Sequence, residues 1–239
     1  MYQLLLIIFI FYNAILPIFH EFNNKKDKDY LNKLSEVNLM DFSRRAIKFG
    51  VISTIIILII SRLIGISFYD LGLRWITFYT NRWLLVPTLV VGSIYIFAYI
   101  LTIIFNLYHN ETKNENKLNY EKMSGIAKKL LPTTQKEKFY WFLVSLVAGI
   151  GEEIRFRGFL MYLLITLFPT FSTLVTVLIQ AVIFGVAHAY QGKKGIIKTG
   201  IWGFVFGILF VATGSLVPSM LLHFLVDIEN VTIIKEGKA

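Results

Sequence analysis

The chemistry available to this chain is concentrated in Glu152, Glu153, His188, His223 and Asp227, ionisable residues set within long apolar runs. An ionisable group in hydrocarbon is costly unless it is paired or faces water, so such residues are functional candidates by default. The sequence has no cysteine, which excludes thiolate nucleophiles, disulfides and thiolate metal sites and leaves His, Asp and Glu as the strong ligands. A carboxylate and two imidazoles meeting in a partly wet cavity suit hydrolysis by either of two routes. In the first, His188 and His223, with Asp227 or Glu152, hold a zinc ion that acidifies its water and polarises a carbonyl. In the second there is no cofactor: Glu152, helped by His188, deprotonates a water, and His223, held by Asp227, donates to the developing oxyanion. An HExxH zinc helix and a GxSxG nucleophile turn are both absent from the sequence, which argues against zincin and serine-hydrolase chemistry.

Spacing assigns roles within this set. Glu153 and Arg157 stand four apart with the acid first, the order that best supports a helical ion pair, so Glu153 is expected to be structural. Glu152 points about 100° away around the helix and meets Phe156 at i+4, so it is expected to be unpaired and to act as the proton acceptor. A competing reading has both acids simply neutralising Arg155 and Arg157. Thr176, Gln180, Phe184 and His188 form one i, i+4 row, and Ser219, His223 and Asp227 form another, so both polar stripes should face the bundle interior. From one turn away, Asp227 is expected to hydrogen-bond the His223 ring and fix its tautomer. A single intramembrane His is more often a helix–helix hydrogen-bonding residue; two of them with a buried Glu on a third helix shift the balance to catalysis. Gly200, Gly203 and Gly207 are assigned packing alone.

The elements that must position these groups are membrane helices. Of the 239 residues, 56% are hydrophobic and 16% are charged, where a soluble domain carries about 25% charged residues. A helix needs about 20 mostly apolar residues to cross the hydrocarbon core, which predicts an all-α polytopic bundle of about seven spans: roughly 2 to 19, 47 to 67, 83 to 105, 139 to 168, 171 to 190, 196 to 213 and 215 to 234. The apolar N-terminus lacks a basic region and a small-residue cleavage site, so it is expected to be a retained span. With seven spans and the N-terminus outside, nineteen Lys and Arg residues fall on one side, and the positive-inside rule makes that side, with the C-terminus, cytoplasmic. The net charge of +9 is thus explained by topology and anionic lipid, and no basic helix or stacking motif supports nucleic-acid binding. Residues 117 to 131 fit equally an amphipathic helix on the inner leaflet or a solvated linker. The chain divides into N-terminal spans with two basic loops, 1–138, and a core, 139–239, that carries all the candidate site residues.

Taken together the motifs resemble a known family. Glu152-Glu153-Ile154-Arg155-Phe156-Arg157 is similar to EExxxR, Phe184 to His188 to FxxxH, and His223 to Asp227 to HxxxN/D, the three motifs of the CAAX prenyl protease and bacteriocin-processing (Abi) family, in the family's order. The likeness covers residues from 139 onward, with a looser match at Asp70-Leu71-Gly72-Leu73. It implies a membrane-embedded endopeptidase with a cavity open to the cytoplasm, acting on membrane-associated peptides or proteins. Carried over by motif, Glu152 is the base and His188 its partner; His223 and Asp227 complete the site; Glu153, Arg157 and Phe184 support it. Asp at the last motif position adds negative charge and leaves the cofactor open between zinc, on Glu152, His188, His223 and Asp227, and none.

Substrate is a matter of analogy. The Lys-, Asn- and Ile-rich composition resembles a bacterial chain, which places the expected site of action in a bacterial plasma membrane and the expected role in bacteriocin or signal-peptide maturation, or self-immunity. The rivals are a proton-coupled transporter, which also uses midplane Glu, His and Asp, and a non-catalytic scaffold. No inverted repeat supports the first, and the intact Glu152, His188 and His223 set argues against the second.

Overall fold

A computed structural model describes residues 1–16, 18–19, 38–76, 101 and 131–228. The described elements are helices: α1 (Tyr2–Ile10), α2 (Leu39–Leu63), α3 (Gln135–Glu153), α4 (Met161–Leu167), α5 (Thr173–Ala187), α6 (Gly192–Thr213) and α7 (Leu216–Ile228). A π-helical turn, Phe11–Ile15, extends α1, and another, Ile154–Leu160, joins α3 to α4 without a break. Two helical stretches, Leu39–Leu63 and Ala189–Thr213, are long and apolar enough to cross a membrane. The expected third span and the stretch 117 to 131 fall outside the described residues, apart from Leu101 and Leu131.

Capping chemistry moved several expected boundaries. Helix α2 begins eight residues before the expected span because Asn38 accepts from the Met40 amide at 2.9 Å. It closes at Gly65, whose φ of 85° suits a glycine. Helix α3 begins at a capping box in which Thr134 accepts from the Glu137 amide at 3.2 Å and Glu137 reaches back to the Thr134 amide at 2.9 Å. Partial burial pushes the Glu137 carboxyl up, but hydrogen bonds from Thr134 and Thr133 outweigh it and hold the group at about 2. The expected turn over Gln191 to Gly195 is shorter than predicted. Only Gly192, at φ 79°, takes a left-handed conformation, and α6 starts there.

Close helix approach builds the framework. On α3, a Cβ added to Gly149 would lie 3.1 Å from the α7 backbone at Met220 and Phe224, and Gly151 faces Thr54 of α2. The glycines of α6 do what their spacing suggested: Gly203 meets Ala181 and Phe184 of α5, and Gly207 meets Val177 and Gln180. A Cβ on Gly185 would stand 2.6 Å from the Ile196 carbonyl and 3.0 Å from Gly200 Cα, so α5 and α6 run backbone to backbone there. The main apolar core joins residues of α1 and α2 to the helix running from α3 into α4, including Phe9, Ile57, Phe156, Phe159 and Leu160.

At the far end, the loop after α2 clasps the turn between α6 and α7. The Leu216 amide donates to the Gly72 carbonyl at 2.9 Å, Arg74 Nε donates to the Gly214 carbonyl at 2.5 Å, and Ser215 Oγ donates to the Arg74 carbonyl at 2.6 Å. Leu71 is wholly buried beneath it. Asp70 fixes the loop by accepting from the Ser67 hydroxyl and amide, which lowers its carboxyl below the usual range.

Candidate active site

The expected residues arrive on three helices. Glu152 and Glu153 end α3, His188 caps α5, and His223 and Asp227 lie on α7. The polar stripes face inward as predicted: Thr176, Gln180, Phe184, Ser219 and His223 are all buried. His188 stands level with Glu152, its Nε2 3.7 Å from Oε2. Helix α5 has fifteen residues, about 22 Å of rise, shorter than the ~30 Å hydrocarbon core. The 3₁₀ turn that follows, Ala189–Gln191, lines a cavity through Tyr190 and Gln191.

The three groups converge on one carboxylate oxygen. Glu152 Oε2 lies 3.7 Å from His188 Nε2 and 3.9 Å from His223 Nε2, and it is buried with no hydrogen-bond partner. The outer nitrogens fix both rings. His188 Nδ1 stands 2.9 Å from the Phe184 carbonyl, which only accepts, so Nδ1 carries the proton. His223 Nδ1 stands 2.7 Å from Glu153 Oε1, which also accepts from Arg157 Nη1 at 2.8 Å. Nε2 of each ring points toward Glu152.

Two expectations are corrected here. His223 is held by Glu153, not by Asp227, whose Oδ2 is 3.6 Å from Nε2 and beyond hydrogen-bond reach of that atom. The acid one turn away along α7 loses to an acid on another helix because the Gly149 contact draws α3 against α7. Glu153 is thus both the expected ion-pair partner of Arg157 and the orienting group of the second histidine. Glu152, in turn, is not unpaired: Arg155 Nη2 approaches Oε1 at 3.7 Å from the i+3 position. The contact agrees with the competing reading for this acid, since i, i+3 neighbours also meet on a helix.

Aromatic rings close the site. The Phe184 ring lies between the two imidazoles, with centroids 4.7 Å from His188 and 5.9 Å from His223, and Arg157 lies over its face at 4.2 Å. Phe206 of α6 stacks on His223 at 4.8 Å with planes 19° apart. The sequence reading passed over Phe206, although it sits between Gly203 and Gly207 on the helix face already assigned to packing. Trp141 Nε1 donates to the Asp227 carbonyl at 3.1 Å, tying α3 to α7 again. The site opens on a cavity of about 680 Å³, lined among others by Ser145, Glu152, Arg155, His188, His223 and Asp227. That volume lies within the usual range for ligand sites, roughly 300–1,000 Å³.

The donor set does not form a ligand shell. Among the described residues no three His, Asp or Glu groups are gathered as metal ligands are.

Among the described residues, an all-helical frame with an apolar exterior buries a carboxylate against two imidazoles at the wall of a cavity. Residues 134–228, the segment that holds every candidate site residue, match the family model described as Type II CAAX prenyl endopeptidase Rce1-like. No curated protein and no solved structure gave a match.

Proposed function

We propose that the protein is an intramembrane endopeptidase in which Glu152 activates a water held between it and the Nε2 atoms of His188 and His223. The observation that carries this reading is the buried, unpartnered Glu152 Oε2 facing the Nε2 atoms of two imidazoles from other helices. At 3.7 and 3.9 Å both rings are near enough to contact a water that the carboxylate binds from the cavity side. Such a water keeps a lone pair directed at the cavity. Glu152 takes its proton as oxygen attacks the scissile carbonyl, then passes that proton to the leaving amine as the C–N bond breaks. His188 orients the water, His223 does so under the control of Glu153, and Asp227 borders the site. The family likeness points to a membrane-associated peptide or protein substrate. Lys194 and Lys198 on the cavity wall agree with a cytoplasmic opening under the positive-inside rule. A bacterial plasma membrane, and peptide maturation or self-immunity, complete the proposal.

The test uses the full chain in detergent and two quenched fluorescent peptides, one ending in a prenylated cysteine with three further residues and one unprenylated amphipathic peptide. Cleavage of either is expected, with kcat reduced about 10²–10⁴-fold in Glu152→Gln, strongly reduced in His223→Ala, and unchanged by chelator. Proton-coupled uptake into proteoliposomes without cleavage would replace the protease by the transporter, and inactivation by chelator would replace the metal-free route.

A further inference from the structure

We infer that Ser145, Lys198 and Lys194 form a subsite that binds the substrate peptide on one side of the scissile bond and holds a carboxylate of that peptide at the cavity mouth. All three line the cavity that holds Glu152. On α3, Ser145 stands seven positions before Glu152, about 10 Å of rise and within about 20° of two full turns, so the two side chains share a face. The Ser145 hydroxyl is buried and has no hydrogen-bond partner among the described residues. A helical serine ordinarily satisfies its hydroxyl on the carbonyl one turn back, as Ser43 and Ser61 do at 2.8 and 2.7 Å. A buried hydroxyl left without a partner is costly, and the open side of Ser145 is the cavity. The partner that fits it is a backbone group of a bound peptide.

The second wall carries the charge. On α6, Lys194, Lys198, Trp202 and Phe206 follow one another at i, i+4 steps and all line the cavity. Phe206 stacks on His223 at 4.8 Å and Trp202 stacks on Phe206 at 5.6 Å, so the row begins level with the site and runs outward. Lys198 stands about 12 Å and Lys194 about 18 Å along the helix from Phe206. Both lysines are exposed, and neither pairs with an acid among the described residues. Arg155, the other cation on the cavity wall, is engaged by Glu152 at 3.7 Å and by the Gly151 carbonyl at 3.2 Å. Negative charge thus gathers at the inner end, on Glu152, Glu153 and Asp227, and free positive charge at the mouth. A peptide carboxylate is repelled by the first and held by the second, which sets the direction and register of the chain. An extended chain advances about 3.3–3.6 Å per residue, so Ser145 meets it about three residues from the scissile bond and the lysines hold a carboxylate about three to five residues from it. A chain terminus and an Asp or Glu side chain both supply that group.

The inference rests on the protease reading, and the experiment separates the two. It uses the full chain in detergent and, of whichever peptide is cut, a form with a free terminal carboxylate about four residues from the scissile bond, the same form amidated, and the amidated form with Asp at that last position. Wild type should cut the carboxylate form with a KM about fivefold below that of the amide, the worth of one exposed ion pair. Lys194→Gln with Lys198→Gln should erase that preference with kcat changed less than about twofold, since the pair holds substrate and transition state alike. Lys198→Glu should reverse it toward a terminus bearing a cationic aminoethyl amide. A KM for the Asp form that matches the free carboxylate shows that either source serves; one that matches the amide restricts the subsite to a chain terminus. Ser145→Ala should raise KM about fivefold for every form without lowering the unfolding temperature, because the hydroxyl it removes has no partner in the free protein. A lower unfolding temperature with unchanged KM would make Ser145 structural and overturn its part. Equal KM values of wild type for the carboxylate and amide forms, a comparison that needs no variant, overturn the subsite and leave the protease standing. So does a defect of the lysine variants confined to phosphatidylglycerol vesicles and absent from phosphatidylcholine, which would assign the lysines to lipid headgroups. A wild type that cuts no peptide overturns the protease and the subsite with it.

Discussion

Glu153 is where local and tertiary chemistry meet. It is fully buried, paired at 2.8 Å with an equally buried Arg157 and at 2.7 Å with His223. Two buried charges gain little net stability from their pairing, but stranding one of them costs about 3–5 kcal/mol. Glu153→Gln and Arg157→Met are each expected to lower stability by that order, measured as thermal unfolding in detergent. The double variant should regain much of the stability and none of the activity, because His223 would no longer face a carboxylate. A double variant that regains both would show that Glu153 serves only Arg157. Glu152 differs in kind: it is in contact with the cavity, and its loss should be felt in turnover, not in folding.

Element boundaries at this site are set by short-range hydrogen bonds. The capping box at Thr134 and Glu137 fixes the start of α3 and so the rotation at which Glu152 emerges. Thr134→Ala is expected to cost about 1 kcal/mol. The folded carboxyl of Glu137 titrates near 2, below its ordinary 4.5, so its stabilising contribution is fully present above about pH 4.5 and is lost as pH falls toward 2. Glu137→Gln should flatten that acid limb in a pH series of unfolding temperatures; a limb of unchanged steepness would assign the acid sensitivity elsewhere. The α5–α6 crossing depends on a missing side chain. With the Ile196 carbonyl 2.6 Å from any Cβ at Gly185, Gly185→Ala is expected to destabilise by about 1–3 kcal/mol through forced separation of the two backbones. Because His188 caps α5 three residues later, turnover should fall as well.

Among the described residues, the helices that carry the candidate site are held at both ends. At one end, Trp141 reaches the Asp227 carbonyl; at the other, the loop from Ser67 to Arg74 clasps the α6–α7 turn. That loop fixes where α7 begins and hence how far His223 reaches toward Glu152. Leu71 is fully buried under the clasp, so Leu71→Ala should cost about 2–5 kcal/mol. Stability that falls by less than about 1 kcal/mol, read from the same unfolding assay, would mean that the clasp does not hold the bundle. This accounts for the isolated motif likeness around Asp70, which is remote in sequence from the site but bonded to the turn that positions it.

Sequence alone pointed to a lipid environment and to a set of candidate residues. Apolar runs of span length cannot be buried in water, and ionisable residues within them must be paired or functional, which singled out Glu152, Glu153, His188, His223 and Asp227 along with their inward stripes. Helical periodicity also gave the Glu153–Arg157 pair and the glycine face of α6, since those depend on spacing within one element. The level of His188, the orientation of His223 by Glu153, the approach of Arg155 to Glu152 and the stacking of Phe206 were decided by tertiary structure. Each depends on where a helix stops or on which neighbour a backbone contact draws close, and periodicity along a single helix carries no such distances.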